Sequence, residues 1–516
     1  MGEEKELMKR QNILLIVFAV LLAAAACVYF FVIIPAVADT GNADTAEPAE
    51  TEEGENLSSS GSIFMFTGMS REDVEYIKVD NAYGTFKFTA SGTDGTDFVI
   101  DGYDNVPYNK DLFASLLSVA TYTLSKTKVG SSLSDAKLEE YGLTEPQASW
   151  TVLSKSGQAY RVFVGDRLLT GGGYYCMVEG RRSVYVLGTE VADTVLVPIE
   201  SYVTPVVCAG ISKDDYYTTD NFTVFKNGEL LLRMKLKDKK DQINKNALAE
   251  NIMVYPTAYI PDSTLYYDII YSYMGLYADS CYKLGASDAD FAAVGLDDPA
   301  HVISFDYKGY EFEIFFSARD GDGNYYMYNN MYPNVIGKCG GDTYDYLEYD
   351  LIDWIDPYLF QQYITNLSEI SVGFSGKTTN FRLYHGVDES GNATLAVSAD
   401  GEMLSQRAAD NFRQYYKTLL AFTAQGYCKD DEFCTLSEEE LASLAADTDA
   451  ADLTFSYTTL SGETTVFRFY RYSTRHSLIT VNGVGEFYTL TDLVKKIERD
   501  TGRLLGGEDI VAYDKS

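Results

Sequence analysis

The sequence predicts an α+β protein, in which a single N-terminal transmembrane helix is followed by tandem repeats of mostly antiparallel sheet plus helices. Three observations lead to this fold class. An uncharged apolar run covers residues 13–34, and apolar and polar residues alternate around glycine-containing turns over most of the remaining chain. The pattern Gly-Leu, two polar residues and Pro also occurs twice, at Gly142 and at Gly295.

Bulk composition sets the broad class. A chain of 516 residues is too long for one ordinary core, so several domains are expected. The hydrophobic fraction of 46%, with 14% aromatic residues, is typical of folded protein. The formal net charge of −35 argues against a nucleic-acid partner, which needs Lys and Arg to neutralise phosphates. We interpret this charge as a self-repelling surface outside the cell, with a cation-binding surface as the alternative.

The run over residues 13–34, ILLIVFAVLLAAAACVYFFVII, predicts the membrane anchor. As a helix it is about 33 Å long, enough for a hydrocarbon core of about 30 Å. Lys5, Lys9 and Arg10 precede it, and such a bias places residues 1–12 in the cytoplasm. We therefore expect a single-pass protein of the cell membrane whose C-terminal region is extracytoplasmic.

Two alternative N-termini are weighed against this anchor. The residues Ala-Val-Ala that end at Ala38 suit a signal peptidase, but the apolar run is longer than the usual 7–15 residues. Cys27 follows four alanines as in a lipoprotein, yet the apolar run continues past it. After the anchor, residues 35–66 contain few large apolar side chains, which predicts an acidic flexible linker.

The repeated motif predicts a helix stop that leads into a hairpin. In LSDAKLEEYGLTEP, Ser134 suits a helix N-cap and Gly142 suits the left-handed residue that ends the helix. Leu143 can then fold back onto the helix, and Pro146 prevents its continuation. The second copy has the same residue types, and two hairpin patterns follow each copy. The corresponding positions in the second copy are Ser287, Gly295, Leu296 and Pro299.

A third copy is degenerate, because Gly-Leu-x-x-Pro is missing. Its short helix is predicted from LSEEELASLA, where Ser437 and Glu440 have the spacing of a capping box. Two hairpin patterns and a final helix follow. The sequence therefore predicts α+β repeats over residues 67–210, 211–366 and 367–516.

These motifs also resemble a bacterial family, the domain of unknown function 4340. The resemblance rests on LSDAKLEEYGLTEP, VFVGD and GGGYYCMVEGRRSVYVL, and it extends over roughly residues 70–360. It implies one N-terminal membrane helix followed by repeated α+β units. Its members are encoded near ABC-transporter components, which implies an accessory of a transport or envelope complex. The family supplies no catalytic residues to carry over.

The search for chemistry assigns no catalytic, cofactor-binding or metal-binding residue, and predicts no cofactor. The three histidines are His301, His385 and His476, and His301 falls in a strand pattern. No HExxH, Gly-x-Ser-x-Gly or Walker-type loop occurs, and Gly171–Gly173 joins two strands.

One turn resembles a calcium loop. In RDGDGNYY, Asp320, Asp322 and Asn324 take loop positions one, three and five, but Tyr325 stands where Gly is needed and Met331 where Glu is needed. We favour a tight turn, with a weak cation site as the alternative.

Cysteine and tyrosine leave alternatives open. There are seven cysteines, of which Cys428 and Cys434 are closest in sequence outside the anchor, and their pairing stays open. The 42 tyrosines favour packing, with a protein interface or a glycan groove as the alternative.

The leading hypothesis is a non-enzymatic, membrane-anchored binding or scaffold protein in an envelope or ABC-transporter-like complex. The alternative is a protein that binds cell wall or polysaccharide. A carboxylate-dependent hydrolase is the third hypothesis, because 76 acidic residues include many pairs.

Overall fold

The structure is a computed structural model that describes residues 54–58, 62–91, 97–125, 127–208, 210–211, 218–236, 251–272, 276–511 and 513. The chain divides into two compact units, one with residues up to Val79 and 118–195, the other with residues 80–117 and 196–516. Residues 74–81 and residues 110–121 each form one element that crosses this division, the former mostly in the first unit and the latter mostly in the second.

The predicted tail over residues 1–12 and the predicted anchor over residues 13–34 lie outside the described residues. Among the residues that are described, every helix is too short or too polar to cross a bilayer.

The first unit contains a small sheet, a larger sheet and two short helices. Its elements are β1 (Asn56–Leu57), β2 (Ile63–Phe64), β3 (Val74–Asn81), β6 (Leu124–Ser125), β7 (Thr127–Gly130), α2 (Asp135–Glu140), β8 (Ala148–Ser154), β9 (Ala159–Arg167), β10 (Tyr174–Val178), β11 (Val184–Leu187) and α3 (Thr189–Val195). The small sheet has the order β1-β2-β6, and the larger one has the order β3-β8-β9-β10-β11-β7 within this unit.

The end of the expected linker differs from the prediction. Residues 54–58 and 62–66 were assigned to the flexible segment 35–66, yet they contain β1 and β2. The apolar run from Ile63 to Phe66 accounts for the difference, because Met65 and Phe66 are fully buried. Ordered structure therefore begins before the predicted boundary.

The second unit contains the remaining strands and helices. They are β4 (Gly84–Ala90), β5 (Phe98–Ile100), α1 (Lys110–Thr121), β12 (Asp220–Lys226), β13 (Glu229–Leu236), β14 (Asn251–Tyr255), α4 (Ser263–Ser272), β15 (Ser280–Leu284), α5 (Asp288–Ala293), β16 (His301–Tyr307), β17 (Tyr310–Phe316), β18 (Asn324–Asn329), β19 (Tyr332–Gly340), β20 (Leu367–Phe374), β21 (Lys377–Val387), β22 (Ala393–Ala399), β23 (Glu402–Met403), α6 (Gln406–Leu419), β24 (Gly426–Tyr427), α7 (Glu438–Ala446), β25 (Leu453–Thr459), β26 (Thr464–Arg471), β27 (His476–Val481), β28 (Val484–Leu490) and α8 (Thr491–Leu505).

The same six-strand order occurs in three sheets. The first unit has β3-β8-β9-β10-β11-β7, and the second unit has β12-β16-β17-β18-β19-β15 and β20-β25-β26-β27-β28-β24. In each sheet two consecutive hairpins are followed by a strand that precedes them in sequence. The hairpins and their neighbours pair antiparallel, so the fold is α+β with mostly antiparallel sheets, as predicted.

The helix stop predicted from the repeated motif is confirmed. Gly142 has φ +66°, its amide donates to the Glu139 carbonyl, and the Leu143 amide donates to the Leu138 carbonyl at 2.8 Å. Gly295 has φ +71°, and the Leu296 amide donates to the Phe291 carbonyl at 2.9 Å. These are Schellman motifs, in which the leucine folds back as predicted.

The motif attaches the short helix to its sheet. Leu143 and Leu296 are both buried. In the first unit, Leu138 and Leu143 pack with Val184 of β11 in a small apolar cluster. In the second unit, the ring of Phe291 lies 4.9 Å from the ring of Tyr328 on β18. Burial of the leucine therefore fixes the turn that leads into each hairpin.

The predicted helix caps are only partly correct. Ser287 forms a capping box with Asp290, and Ser437 forms one with Glu440. Ser134 precedes α2 but makes no cap hydrogen bond with its side chain. The third residue of α2 is Lys137, which has no acceptor for the reciprocal bond and pairs with Glu140 instead.

Candidate functional site

A surface cavity of about 310 Å³ lies in the second unit. Three separate chain segments line it: the turn at residues 102–106, the end of β15 and the hairpin that joins β18 to β19. Its lining residues are Gly102, Tyr103, Asp104, Asn105, Val106, Leu284, Gly285, Met331, Tyr332, Pro333, Asn334 and Val335. This volume is at the lower end of the range for small-molecule sites.

Hydrogen bonds hold the backbone of Tyr103, and Gly285 leaves room for its ring. The Tyr103 amide donates to the Ile100 carbonyl at 2.8 Å, and its carbonyl accepts from the Tyr108 hydroxyl at 3.0 Å. Gly285 has φ +66°, and a Cβ at this position would lie 2.7 Å from Cε1 of Tyr103. Gly285 therefore permits both the left-handed backbone and the close approach of the ring.

A buried asparagine holds the hairpin segment of the lining in place. Asn329 is 2% exposed, and its amide nitrogen donates to the carbonyls of Val206, at 2.6 Å, and Val207, at 3.1 Å. Its side-chain oxygen accepts from the amides of Met331 and Tyr332. The same side chain therefore holds the hairpin turn and attaches it to residues 206–207.

The cavity combines apolar walls with exposed polar side chains. Leu284 and Val335 are buried in its floor, and both tyrosine rings are partly exposed. The side chains of Asp104, Asn105 and Asn334 contribute to the lining and make no hydrogen bond with the residues that the structure describes. Asp104 is the one charged residue in the lining. The arrangement can accept hydrogen bonds at three side chains and donate them at two.

A narrow apolar crevice adjoins the cavity and shares Tyr332 and Val335 with it. Its other walls come from Pro107, Pro205, Val206, Met327 and Asn329.

The cavity was not predicted from the sequence. Segments DGYDNVP and NNMYPN carry the Gly, Pro, Asn and Asp residues typical of turns. This signal identifies each turn separately, but it does not indicate that the two turns converge on one cavity.

A second cluster surrounds His476. Its Nδ1 donates to Asp431 Oδ2 at 2.8 Å, and Tyr472 donates to the same oxygen at 2.5 Å. The Tyr488 ring stacks on the imidazole at 4.3 Å between centroids. A carboxylate that orients a histidine is the arrangement of a general base. However, burial raises the pKa of the neighbouring Cys428 to about 12, so its thiol is not an activated nucleophile.

The other histidines are strand residues. His301 begins β16 as predicted, is 3% exposed and lies 3.6 Å from Glu348. Burial lowers the pKa of His301, whereas the Glu348 carboxylate opposes that effect. His385 lies on β21 and contacts the Leu367 carbonyl at 2.7 Å.

The calcium-like segment forms the favoured turn. Asp320 Oδ1 accepts from the amides of Asp322 and Asn324, and Lys338 lies 3.5 Å from the other oxygen. The carboxylate thus stabilises the turn, and the described residues contain no cluster of three or more metal-ligating side chains. Gly171–Gly173 lies between β9 and β10, as predicted.

The six cysteines after Cys27 are all thiols. Many tyrosines serve packing: Tyr185, Tyr202, Tyr266, Tyr325, Tyr344, Tyr415 and Tyr470 are fully buried.

Comparison with known proteins identifies a family but no activity. No curated protein and no solved structure matches the chain. Residues 99–208 match the family model described as Domain of unknown function (DUF4340). The match includes the cavity segment at residues 102–106 and the first Gly-Leu-x-x-Pro. It confirms the family predicted from the repeated motif, so residues 99–208 belong to the DUF4340 family.

Proposed function

We propose that this protein is a non-enzymatic binding or scaffold component of an envelope complex, anchored by residues 13–34 with the later chain outside the cell. The cavity is the observation that carries the proposal. Its two tyrosines and the exposed amide side chains beside them are typical of a site that binds a ligand or an inserted segment.

The three sheets support a scaffold. We propose that they are copies of one unit, over residues 67–210, 211–366 and 367–516, since they share the six-strand order. A partner from an ABC-transporter-like complex is proposed from the family resemblance.

The cavity also bears on the hydrolase hypothesis. Glycosidases use two carboxyl groups about 5 to 10 Å apart. The lining contains one, from Asp104, so this cavity offers no such pair.

The test is photo-crosslinking in intact cells of the native host. A photoreactive amino acid at position 334, which is exposed at the cavity rim, should capture a specific partner or polymer that mass spectrometry identifies. The same amino acid at position 384, an exposed strand position on β21, serves as control. Equal capture patterns at both positions, or none at position 334, would count against a binding cavity.

Location has its own test. A membrane-impermeant thiol or amine reagent applied to intact cells should label the region after residue 66, and cell fractionation should recover the chain in the membrane. Recovery in the soluble fraction, with the N-terminus beginning after Ala38, would show that the anchor is cleaved.

A further inference from the structure

We infer that the cavity takes a neutral, hydroxylated ligand, namely one or two pyranose rings of a glycan. This inference rests on the proposed binding function and names the chemical class of its ligand.

The charge of the lining favours a ligand without negative groups. The lining contains no Lys, Arg or His, and its single charge is the carboxylate of Asp104. The chain as a whole has a formal charge of −35. Phosphates, sulfates and acidic polymers would therefore be repelled rather than paired.

The polar groups argue next for hydroxyls. Asn105 and Asn334 each offer a side-chain donor and an acceptor, and Asp104 adds a strong acceptor. A sugar hydroxyl also both donates and accepts, so it can satisfy either amide in either direction. An ammonium group only donates, so it could bond to the amide oxygens but not to the amide NH2 groups.

The walls argue for a ring with an apolar face. Tyr103 and Tyr332 both contribute to the lining. The C–H groups on one face of a pyranose pack well against such a ring. Because the Tyr103 backbone is already held by hydrogen bonds with Ile100 and with the Tyr108 hydroxyl, little conformational entropy is lost when a ligand binds.

The volume of the cavity limits the number of pyranose rings that it can bind. A volume of about 310 Å³ accommodates a small ligand and not a folded domain. The rim residues Pro333 and Asn334 are exposed, so a longer glycan could continue from the cavity into solvent.

The experiment uses the full chain in a zwitterionic detergent that carries no sugar. Saturation-transfer NMR is recorded with cellobiose and with N,N′-diacetylchitobiose as probes, and affinities are measured by titration. Binding of either disaccharide is expected. Asn334→Ala should weaken it about three- to tenfold, which corresponds to the loss of one hydrogen bond.

Substitutions at the ring separate stacking from folding. Tyr103→Ala should abolish detectable saturation transfer, whereas Tyr103→Phe should retain it because the ring face remains. Tyr384→Ala removes an exposed tyrosine on another sheet and should leave binding unchanged. Asn334 makes no side-chain hydrogen bond, so its variant reports on binding even if Tyr103→Ala unfolds.

The outcomes distinguish the two proposals. If neither disaccharide binds while position 334 still crosslinks a protein, the glycan inference is overturned and the binding function stands. If an anionic polymer binds in preference to both sugars, the charge argument is wrong. If neither sugar nor crosslinked partner is found, both proposals fall. Binding to free disaccharides but not to purified wall polymer would assign the site to a soluble saccharide.

Discussion

Asp431 joins the segment before α7 to strand β27 through His476. The imidazole Nδ1 lies 2.8 Å from Oδ2 of Asp431, whose side chain is only 2% exposed. Burial acts to raise the pKa of Asp431, but hydrogen bonds from Tyr472 and His476 outweigh it, so the pKa lies below its usual value. The ionised carboxylate therefore stabilises the folded state.

Asp431→Asn should destabilise this region by about 1.5–3 kcal/mol at neutral pH, the usual contribution of a charge-assisted hydrogen bond. Because the folded-state pKa is lowered, the contribution is present above the ordinary carboxyl pKa and is lost as pH falls through the folded value. Urea denaturation should show that wild type and variant converge in acid. Asp430→Asn, at an exposed neighbour, is the control. A stability difference between wild type and variant that is just as large at low pH would contradict this dependence on the ionised carboxylate.

The two motif glycines should differ in their tolerance of alanine. Both have positive φ, so alanine at either costs about 1–2 kcal/mol. At Gly295 a Cβ meets nothing within 4 Å, but at Gly142 it would lie 2.9 Å from the Asp166 backbone nitrogen. Gly142→Ala should therefore be clearly the more destabilising. Hydrogen exchange of α2 and α5 measures this difference. Equal loss of protection in the two variants would show that the Asp166 backbone moves to accommodate the added Cβ.

His301 should make stability depend on pH in mildly acid solution. Its Nδ1 is buried and has no hydrogen-bond partner among the described residues, and burial lowers the pKa of the ring. The unfolded chain then binds the proton more readily, so stability falls as pH drops below about 6.5 toward the lowered value. His301→Phe should reduce this dependence of stability on pH. Thermal unfolding between pH 7 and 5 tests it, with His385→Gln as the matched histidine substitution on another strand.

Removal of one member of the Glu55–Lys128 pair should lower the free energy of unfolding more than replacement of both residues. Their charged atoms lie 3.0 Å apart, with side chains 1% and 6% exposed. Lys128→Met alone leaves a buried carboxylate and should cost about 3–5 kcal/mol, whereas Glu55→Leu combined with Lys128→Met should recover most of that loss. A double-mutant cycle by denaturation measures the coupling. If the two single losses simply add, the residues are not coupled.

Local signals predicted much of the fold. Gly-Leu-x-x-Pro correctly predicted the helix stops at Gly142 and Gly295, because a left-handed residue and a buried leucine are local requirements. Ser134 takes the predicted N-cap position of α2 but makes no cap hydrogen bond with its side chain, and the third helical residue is Lys137 there, whereas Asp290 completes the capping box after Ser287. Strands β1 and β2 were missed because the acidic composition of the segment outweighed the short apolar run from Ile63 to Phe66.

The candidate site could not be predicted in the same way. Its walls come from residues 102–106, 284–285 and 331–335, and only the tertiary fold brings Tyr103 against Gly285. Asn329 is an ordinary turn residue by sequence, yet in the fold it anchors the hairpin to residues 206–207. Turn composition indicates where the chain reverses and not which turns become neighbours.

The position of Glu55 has a mechanical consequence. It adjoins β1, the first strand that the structure describes, and its carboxylate is buried against Lys128. Tension that reached the first unit along the chain from its N-terminal side would act first on this ion pair. Separation of the pair would expose two charges before any apolar core opened. A load of this kind would therefore act on the ion pair, on the hydrogen bond from Tyr185 to Glu55 and on the pairing of β1 with β2 before it acted on the larger sheet.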